Sequence, residues 1–562
     1  MDSTQSAPSP QLAGRNLIVL SDGTGNSGGV TRDTNVWRLY KTIDRHHAPV
    51  EQLVRYDDGV GTDDWRVAKI LGGAVGIGLT RNVTGLYGFL ARHYRPGDRI
   101  YMLGFSRGAF TVRVLAGLIA RCGLWTQNAY FAEDNPERFI RRRILPAYRS
   151  LGDAKVRALR DSVDLHPEVY VRFLGVWDTV DAVGVPIDEI KVLLETPMRL
   201  FANRRGYGFH DRELSRWVRT ARQALSIDDD RRTFHPNVWS THRPLGERDH
   251  LCQDVEQVWF PGAHSNVGGG YPKDGLALVT LDWMLGETDA LGADRIWLEG
   301  DRVTPLQSDA ANDSAMAIFD DDNGQRFAVH SPARITLQQK ADAQGRHYEP
   351  RSGFGLAYRY QPRLLERAYT GEGHGWARWL RRLPDMPTVL HQRLGIPQLT
   401  PPPRQIPVHV SVFQRVLQGT QAYAPYVLPE NVAIAHTRGP SPFAAGPGSP
   451  PVTLPEPDAA RTAARTLVRW RRFAYGLTLI GVVALLVALS QLPLGDLMRF
   501  VTAPTLDQVQ PLFEPIRDDR WLHAAIALIV PGFVLGWWAQ RRLRRRTRKA
   551  WNDVLLRSEL LP

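Results

Sequence analysis

The chain has 562 residues, 43% hydrophobic and 23% charged, the range of a globular protein with a large core and room for more than one domain. Its only cysteines are Cys122 and Cys252, which excludes a disulfide framework or a thiolate metal site. Much of the net charge of +12 sits in arginine clusters near the C-terminus beside apolar stretches, a pattern that suits a membrane surface rather than nucleic acid.

Residues 1–14 are polar, without a basic start or an apolar run, and read as a disordered tail rather than a secretory signal. Asn16–Leu20 is a short apolar strand running into Ser21-Asp-Gly-Thr-Gly-Asn26. A loop of small residues at the carboxyl edge of a strand is where open α/β sheets build sites. It reads equally as an oxyanion-hole loop, with N–H groups near Thr24 and Gly25, or as a plain turn. Val54–Gly61 is a second strand ending in a glycine turn. Gly72–Gly78 is glycine-rich, but no strand precedes it and no Lys-Ser/Thr follows, so it is a turn or a packed helix start rather than a phosphate loop.

The chain is organised around Arg99–Phe110. Ile100–Leu103 is a buried strand, Gly104-Phe-Ser106-Arg107-Gly108 is G-x-S-x-G, and Ala109–Arg121 is a helix stopped by Gly123. Strand, tight turn and helix are the setting of a nucleophile elbow. Gly104 and Gly108 permit the turn, Ser106 is the candidate nucleophile, and the Arg107 N–H lies where it can stabilise an oxyanion.

Pro136–Arg160 is an arginine-rich helical stretch with a solvated face. Val169–Trp177 is a strand with Asp178 just past its end, the candidate triad acid; Asp181 is the near alternative. Ala221–Ile227 is hard to class, and Asp228 after it is a fallback acid or a surface charge. Val255–Phe260 is another strand, followed by Pro261-Gly-Ala-His264 and a glycine-rich loop. A histidine there can approach a serine closely, and Ser106, Asp178, His264 is the nucleophile–acid–base order of α/β-hydrolases. Leu276–Leu285 reads as an amphipathic helix that closes the sheet. The polar stretch after it gives little pattern. Arg351–Tyr360 alternates partly like a strand, and residues 289–403 could hold a lid. His409, within Val408–Arg415, is a rival base, with packing or substrate shaping the plainer reading.

Residues 439–460 are a Pro/Gly-rich linker. Beyond them, 474–492 and 522–538 are apolar runs. At ~1.5 Å per residue the first just crosses a ~30 Å hydrocarbon core. Arg465, Arg469, Arg471 and Arg472 precede the first run and Arg541–Lys549 follows the second, so both basic ends face the cytoplasm. The expectation is a transmembrane hairpin in a bacterial inner membrane, with the catalytic domain cytoplasmic and the bilayer as partner.

Arg95-Pro-Gly-Asp98, the G-F-S-R-G-A stretch ending at Ala109, and Ala116-Gly-Leu-Ile119 together resemble the DUF2235 family, which includes the Tle1-like phospholipase effectors of type VI secretion. Asp22-Gly-Thr, Thr34-Asn-Val-Trp37, the VWDTV run around Asp178 and FPGAHSNVGGGYP around His264 resemble the family's further motifs. The resemblance implies an α/β-hydrolase fold with a mostly parallel sheet and flanking helices. It also implies a cofactor- and metal-independent serine esterase that cleaves phospholipid acyl esters. Alternatives are an esterase on another acyl ester and a non-catalytic membrane-tethered protein. The expected organisation is a tail (1–14), a catalytic domain (15–290), an extension that could shape substrate binding (291–438), a linker (439–460) and a membrane region (461–562).

Overall fold

The computed structural model describes residues 14–23, 26, 28–59, 74–150, 153–180, 214–231, 234–239, 253–306, 315–350, 360–363, 365–370, 405–425, 427–428, 432–445, 458–489 and 520–555. The expectations at Thr24, Gly25 and Asp181, and the strand at 351–359, lie outside the described residues.

The centre is an eight-stranded sheet of β1 (Asn16–Ser21), β2 (Gln52–Asp57), β3 (Arg99–Phe105), β4 (Val171–Trp177), β5 (Val218–Ser226), β6 (Asp254–Phe260), β7 (Ile406–His409) and β8 (Val432–Ala435). The spatial order is β8-β7-β6-β5-β4-β3-β1-β2. All seven pairings are parallel. An all-parallel sheet must be covered on both faces, and the alternation along each strand supplies two cores. Leu17, Val19, Ile100 and Met102 face one core, while Ile18, Leu20, Tyr101 and Leu103 face the other. Helices α1 (Asn35–Thr42), α2 (Ala74–His93), α3 (Arg107–Cys122), α4 (Gly275–Asp289) and α5 (Val410–Gln418) flank the sheet. Helices α2 and α3 pack on the first face, α1 and α4 on the second.

Three sequence expectations change. Residues 136–160 are not one helix: short helical pieces at Pro136–Phe139, Ile140–Ile144 and Leu145–Tyr148 precede a helix at Ala154–Ser162. Pro146, which has no N–H to donate, falls where the π turn Ile140–Ile144 gives way to the last helical turn. The stretch at 221–227 is a central strand, disguised by polar residues that are satisfied internally. Arg222 is buried against Glu287 at 2.5 Å and Asp254 at 2.5 Å, and Gln223 donates to Gln257 at 2.9 Å. Finally, α4 is not amphipathic; it is buried from Leu276 to Asp289. Its acids pair with buried arginines, Asp282 with Arg334 at 3.0 Å and Asp289 with Arg295 at 2.7 Å.

The expected linker begins later than its composition suggests. Phe443 is buried in the second core, and Ser441 donates to Asp282 at 2.6 Å, so 439–445 packs with the sheet and its helices. Beyond it are two long helices, α6 (Asp458–Leu489) and α7 (Arg520–Leu555). They pack antiparallel, with Gly481 against Ala525 and Ile529, and Gly532 against Ala474 and Thr478. Among the described residues one helix, within Arg520–Lys549, is long and apolar enough to cross a membrane, where the sequence suggests two. The end of the first expected span, 490–492, lies outside the described residues.

Candidate functional site

The site lies at the carboxyl edge of β1, β3, β4, β5 and β6. Ser106 occupies the turn between β3 and α3 at φ 58°, ψ −119°. A non-glycine residue is strained there, so the surroundings must hold it. The two glycines make that possible by close packing. A Cβ at Gly104 would stand 2.6 Å from the Gly108 carbonyl oxygen, and one at Gly108 would stand 2.1 Å from the Ser21 carbonyl oxygen. The elbow is thus pressed against β1. The Arg107 nitrogen begins α3, at the positive end of a 16-residue helix.

His264 opens a short helix, His264–Gly268, immediately after β6. Its imidazole lies between the rings of Phe105 and Phe234, with centroids 4.7 and 5.0 Å away. Nε2 is 2.7 Å from Ser106 Oγ, and Nδ1 is 2.5 Å from Asp178 Oδ2. An ionised carboxylate only accepts hydrogen bonds, so Nδ1 carries the hydrogen and Nε2 is the acceptor facing the serine hydroxyl. Burial pushes the His264 pKa below its ordinary value, against the pull of Asp178 and Asp229. The ring is therefore neutral in the neutral pH range, the state a base requires.

Asp178 follows β4 at φ 43°, and its side chain is fully buried. Five donors converge on its carboxylate. Oδ1 accepts from Ser226 N (3.0 Å) and Arg363 NH1 (2.6 Å). Oδ2 accepts from His264 Nδ1 (2.5 Å), Arg363 NH2 (2.9 Å) and Ser226 Oγ (3.2 Å). Burial alone would raise its pKa, but Arg363 and then His264 outweigh it and hold the carboxyl well below the usual range.

The loop after β1 is built around Asp22, which accepts from Gly23 N (2.6 Å), Thr34 Oγ1 (2.6 Å) and Tyr56 OH (2.8 Å). Burial raises this carboxyl to about 6. The Thr34–Trp37 motif fastens this loop to the histidine loop. Asn35 Nδ2 donates to the carbonyls of Val267 and Ala277, each at 2.9 Å, and Gly270 N donates to the Asp33 carbonyl at 3.1 Å.

The two alternatives are occupied elsewhere. Asp228 accepts from Gly262 N (2.6 Å) and Tyr423 OH (2.9 Å), and so shapes the turn before His264. Burial raises it to about 7. His409 is fully buried and stacked on Phe260, with Nδ1 2.8 Å from Ser411 Oγ and Nε2 3.1 Å from Thr437 Oγ1. Both ring nitrogens face hydroxyls of its own neighbourhood, and burial lowers its pKa to about 3. Sequence reasoning missed three participants: Ser226, Asp229 and Arg363. Asp229 accepts from the His264 backbone N (3.2 Å) and is paired with Arg231 at 2.7 Å. Its place in an acidic run directly after a strand was a usable signal; Arg363 gave none. Among the described residues no group of His, Cys, Asp or Glu is arranged to hold a metal.

A parallel sheet covered on both faces defines an α/β protein, and three loops at its carboxyl edge bring Ser106, His264 and Asp178 into one hydrogen-bonded line. Residues 15–287, just under half of the chain, match the family described as T6SS, Phospholipase effector Tle1-like, catalytic domain. The chain is similar to the uncharacterized protein YEL023C of Saccharomyces cerevisiae, 29% identical over 198 residues. The match covers 32% of this chain and spans 28% of the length of that relative. A crystal structure of an uncharacterized protein from Pseudomonas aeruginosa is similar at 18% identity, with a TM-score of 0.29, over 51% of this chain and 47% of that one.

Proposed function

We propose that this chain is a membrane-anchored serine hydrolase that cleaves phospholipid acyl esters. The family match supports the phospholipase-like, ester-hydrolysing part of this reading. The observation that carries the mechanism is the contact chain from Ser106 Oγ to His264 Nε2 and from His264 Nδ1 to Asp178. In the reaction, Oγ attacks the ester carbonyl carbon while His264 Nε2 takes its proton. Asp178 holds the Nδ1 hydrogen and stabilises the imidazolium. The tetrahedral oxyanion is met by the Arg107 N–H and by a second N–H from the loop that follows Asp22. Its collapse breaks the bond to the leaving alkoxide, which takes the proton from Nε2 and leaves an acyl ester on Ser106. Water, losing a proton to His264, attacks that ester, and fatty acid departs as Ser106 recovers its proton.

Lipid as substrate is supported by the helical pair. Ile480, Val483, Ile526, Val530, Phe533 and Val534 all project into solvent, an apolar surface that a soluble fold would cover. Trp470, Phe473, Trp537 and Trp538 ring one end of it, with the arginine clusters just beyond. This is the order of apolar span, aromatic belt and basic flank expected at a bilayer's cytoplasmic side. The basic end also touches the catalytic domain. Arg471 pairs with Asp230 at 3.1 Å, and Gln540 and Arg544 reach Glu349 at 2.6 and 3.1 Å. Asp230 adjoins Asp229, which holds the His264 backbone. A bilayer at that level would lie beside the reacting serine.

The test is fatty-acid release from mixed phospholipid vesicles by detergent-purified protein, beside Ser106→Ala. Release by the wild type that vanishes in the variant supports the whole reading. Cleavage of short p-nitrophenyl esters without lipid release would keep the triad and overturn the lipid. An inert wild type would favour a non-catalytic tethered protein.

A further inference from the structure

Arg363 lies outside the segment that matches the family, yet its guanidinium is inside the site. Its side chain, like that of Asp178, is wholly shielded from solvent. NH1 donates to Asp178 Oδ1 at 2.6 Å, to Ser226 Oγ at 2.6 Å and to the Ser226 carbonyl at 2.8 Å. NH2 donates to Asp178 Oδ2 at 2.9 Å and also to the Phe234 carbonyl. The pairing is bidentate, a geometry only arginine provides, and it fixes the carboxylate plane. The same guanidinium ties together β5, through Ser226, and the segment carrying Phe234, whose ring flanks His264.

A buried cation on the triad acid has a chemical consequence. An orienting aspartate stabilises the imidazolium by its negative charge, and a guanidinium on the far side of that carboxylate withdraws part of the benefit. Three charged groups bear on His264 directly, Asp178, Asp229 and Arg231, the last paired to Asp229; Arg363 acts behind them, paired to Asp178 on the side away from the imidazole. Without Arg363 the imidazole would face two buried carboxylates and one cation. It would then hold its proton to a higher pH, and more of the resting enzyme would carry an imidazolium unable to accept the Ser106 proton.

Resting on the serine-hydrolase reading above, we propose that Arg363 is a positioning residue for the reaction. It locks Asp178 against His264 Nδ1 and balances the local negative charge, so that His264 stays neutral and able to accept the Ser106 proton. The extension after residue 287 is, on this view, required to complete the site.

The experiment uses the full chain in detergent as wild type, Arg363→Gln, Arg363→Lys and Ser106→Ala. The rate of Ser106 phosphonylation by an alkyl fluorophosphonate and kcat/KM on a p-nitrophenyl ester are followed over about pH 4 to 9. In Arg363→Gln the acid limb of both profiles is expected to move up by about 1 to 2 pH units, the range for loss of a neighbouring charge. Its kcat falls by about tenfold or more with little change in KM. Arg363→Lys keeps the charge, so its limb stays near the wild type while kcat still falls, because one ammonium cannot grip both oxygens. An Arg363→Gln limb that stays put, or one that moves equally in both variants, overturns the proposal. The wild type supplies a check that needs no variant: its acid limb must lie below the ordinary histidine value of about 6.5. If fluorophosphonate fails to label the wild type while Ser106→Ala behaves identically, the triad reading fails and takes this proposal with it. Labelling of the wild type with unshifted variants defeats this proposal alone.

Discussion

Asp178→Asn separates charge from shape at the centre of the site. Asparagine tolerates the positive φ of 43°, so the backbone is not the source of any effect. What changes is the partner of a fully buried guanidinium. Five donors converge on the Asp178 carboxylate, and an amide can accept on one oxygen only while presenting two N–H groups of its own. Arg363 is left as a buried charge without a counter-ion, which costs about 3 to 5 kcal/mol. The catalytic loss is larger. With the amide N–H facing it, His264 Nδ1 must accept rather than donate, the wrong tautomer is favoured, and kcat falls by roughly 10⁴. Equilibrium urea unfolding, read by the fluorescence of the tryptophans, measures the first effect; ester hydrolysis measures the second. The double variant Asp178→Asn/Arg363→Gln removes the stranded charge, so it recovers most of the stability and none of the activity. A single variant within about 1 kcal/mol of the wild type, or a double variant no more stable than the single, would refute the ion-pair reasoning.

Other expectations follow from neighbouring contacts. Gly108→Ala sets a methyl against the Ser21 and Asp22 carbonyl oxygens, so α3 must lift from β1; esterase activity is expected to fall well beyond any change in folding, as judged by circular dichroism. Asp228 is held up to about 7 by burial, against an ordinary 3.8. The native state therefore binds the extra proton between these values, and this group's contribution to stability declines as pH rises from about 4 to 7. Asp228→Asn should gain stability relative to the wild type at pH 8 and lose that gain near pH 4; an equal difference at both would count against the buried-carboxyl account. Asp178 has the opposite sign: its contribution is present above about pH 4 and disappears as pH falls further. In the helical pair, Gly532 lies against Ala474 and Thr478, where a leucine side chain has no room. Gly532→Leu should part α6 from α7, read as loss of a disulfide engineered between Ala474→Cys and Gly536→Cys, which are in contact in the wild type.

The sequence by itself determined what is local. The elbow around Ser106 is a strand, two glycines and a helix in sequence. His264 and Asp178 each follow an apolar strand directly, because a parallel sheet sends the ends of its strands to one edge. The apolar runs and arginine flanks of α6 and α7 are likewise local. Tertiary structure decided whatever depends on a distant partner. Arg222 and Gln223 make β5 look like a surface segment until Glu287 and Gln257 satisfy them. Asp282 and Asp289 give α4 a false polar face until Arg334 and Arg295 are packed on it. Arg363 stands 185 residues from the aspartate it clamps, in a stretch with no motif of its own. A buried charge is tolerated only where its counter-ion is also buried, and periodicity along one segment carries no record of which counter-ion the fold brings to it.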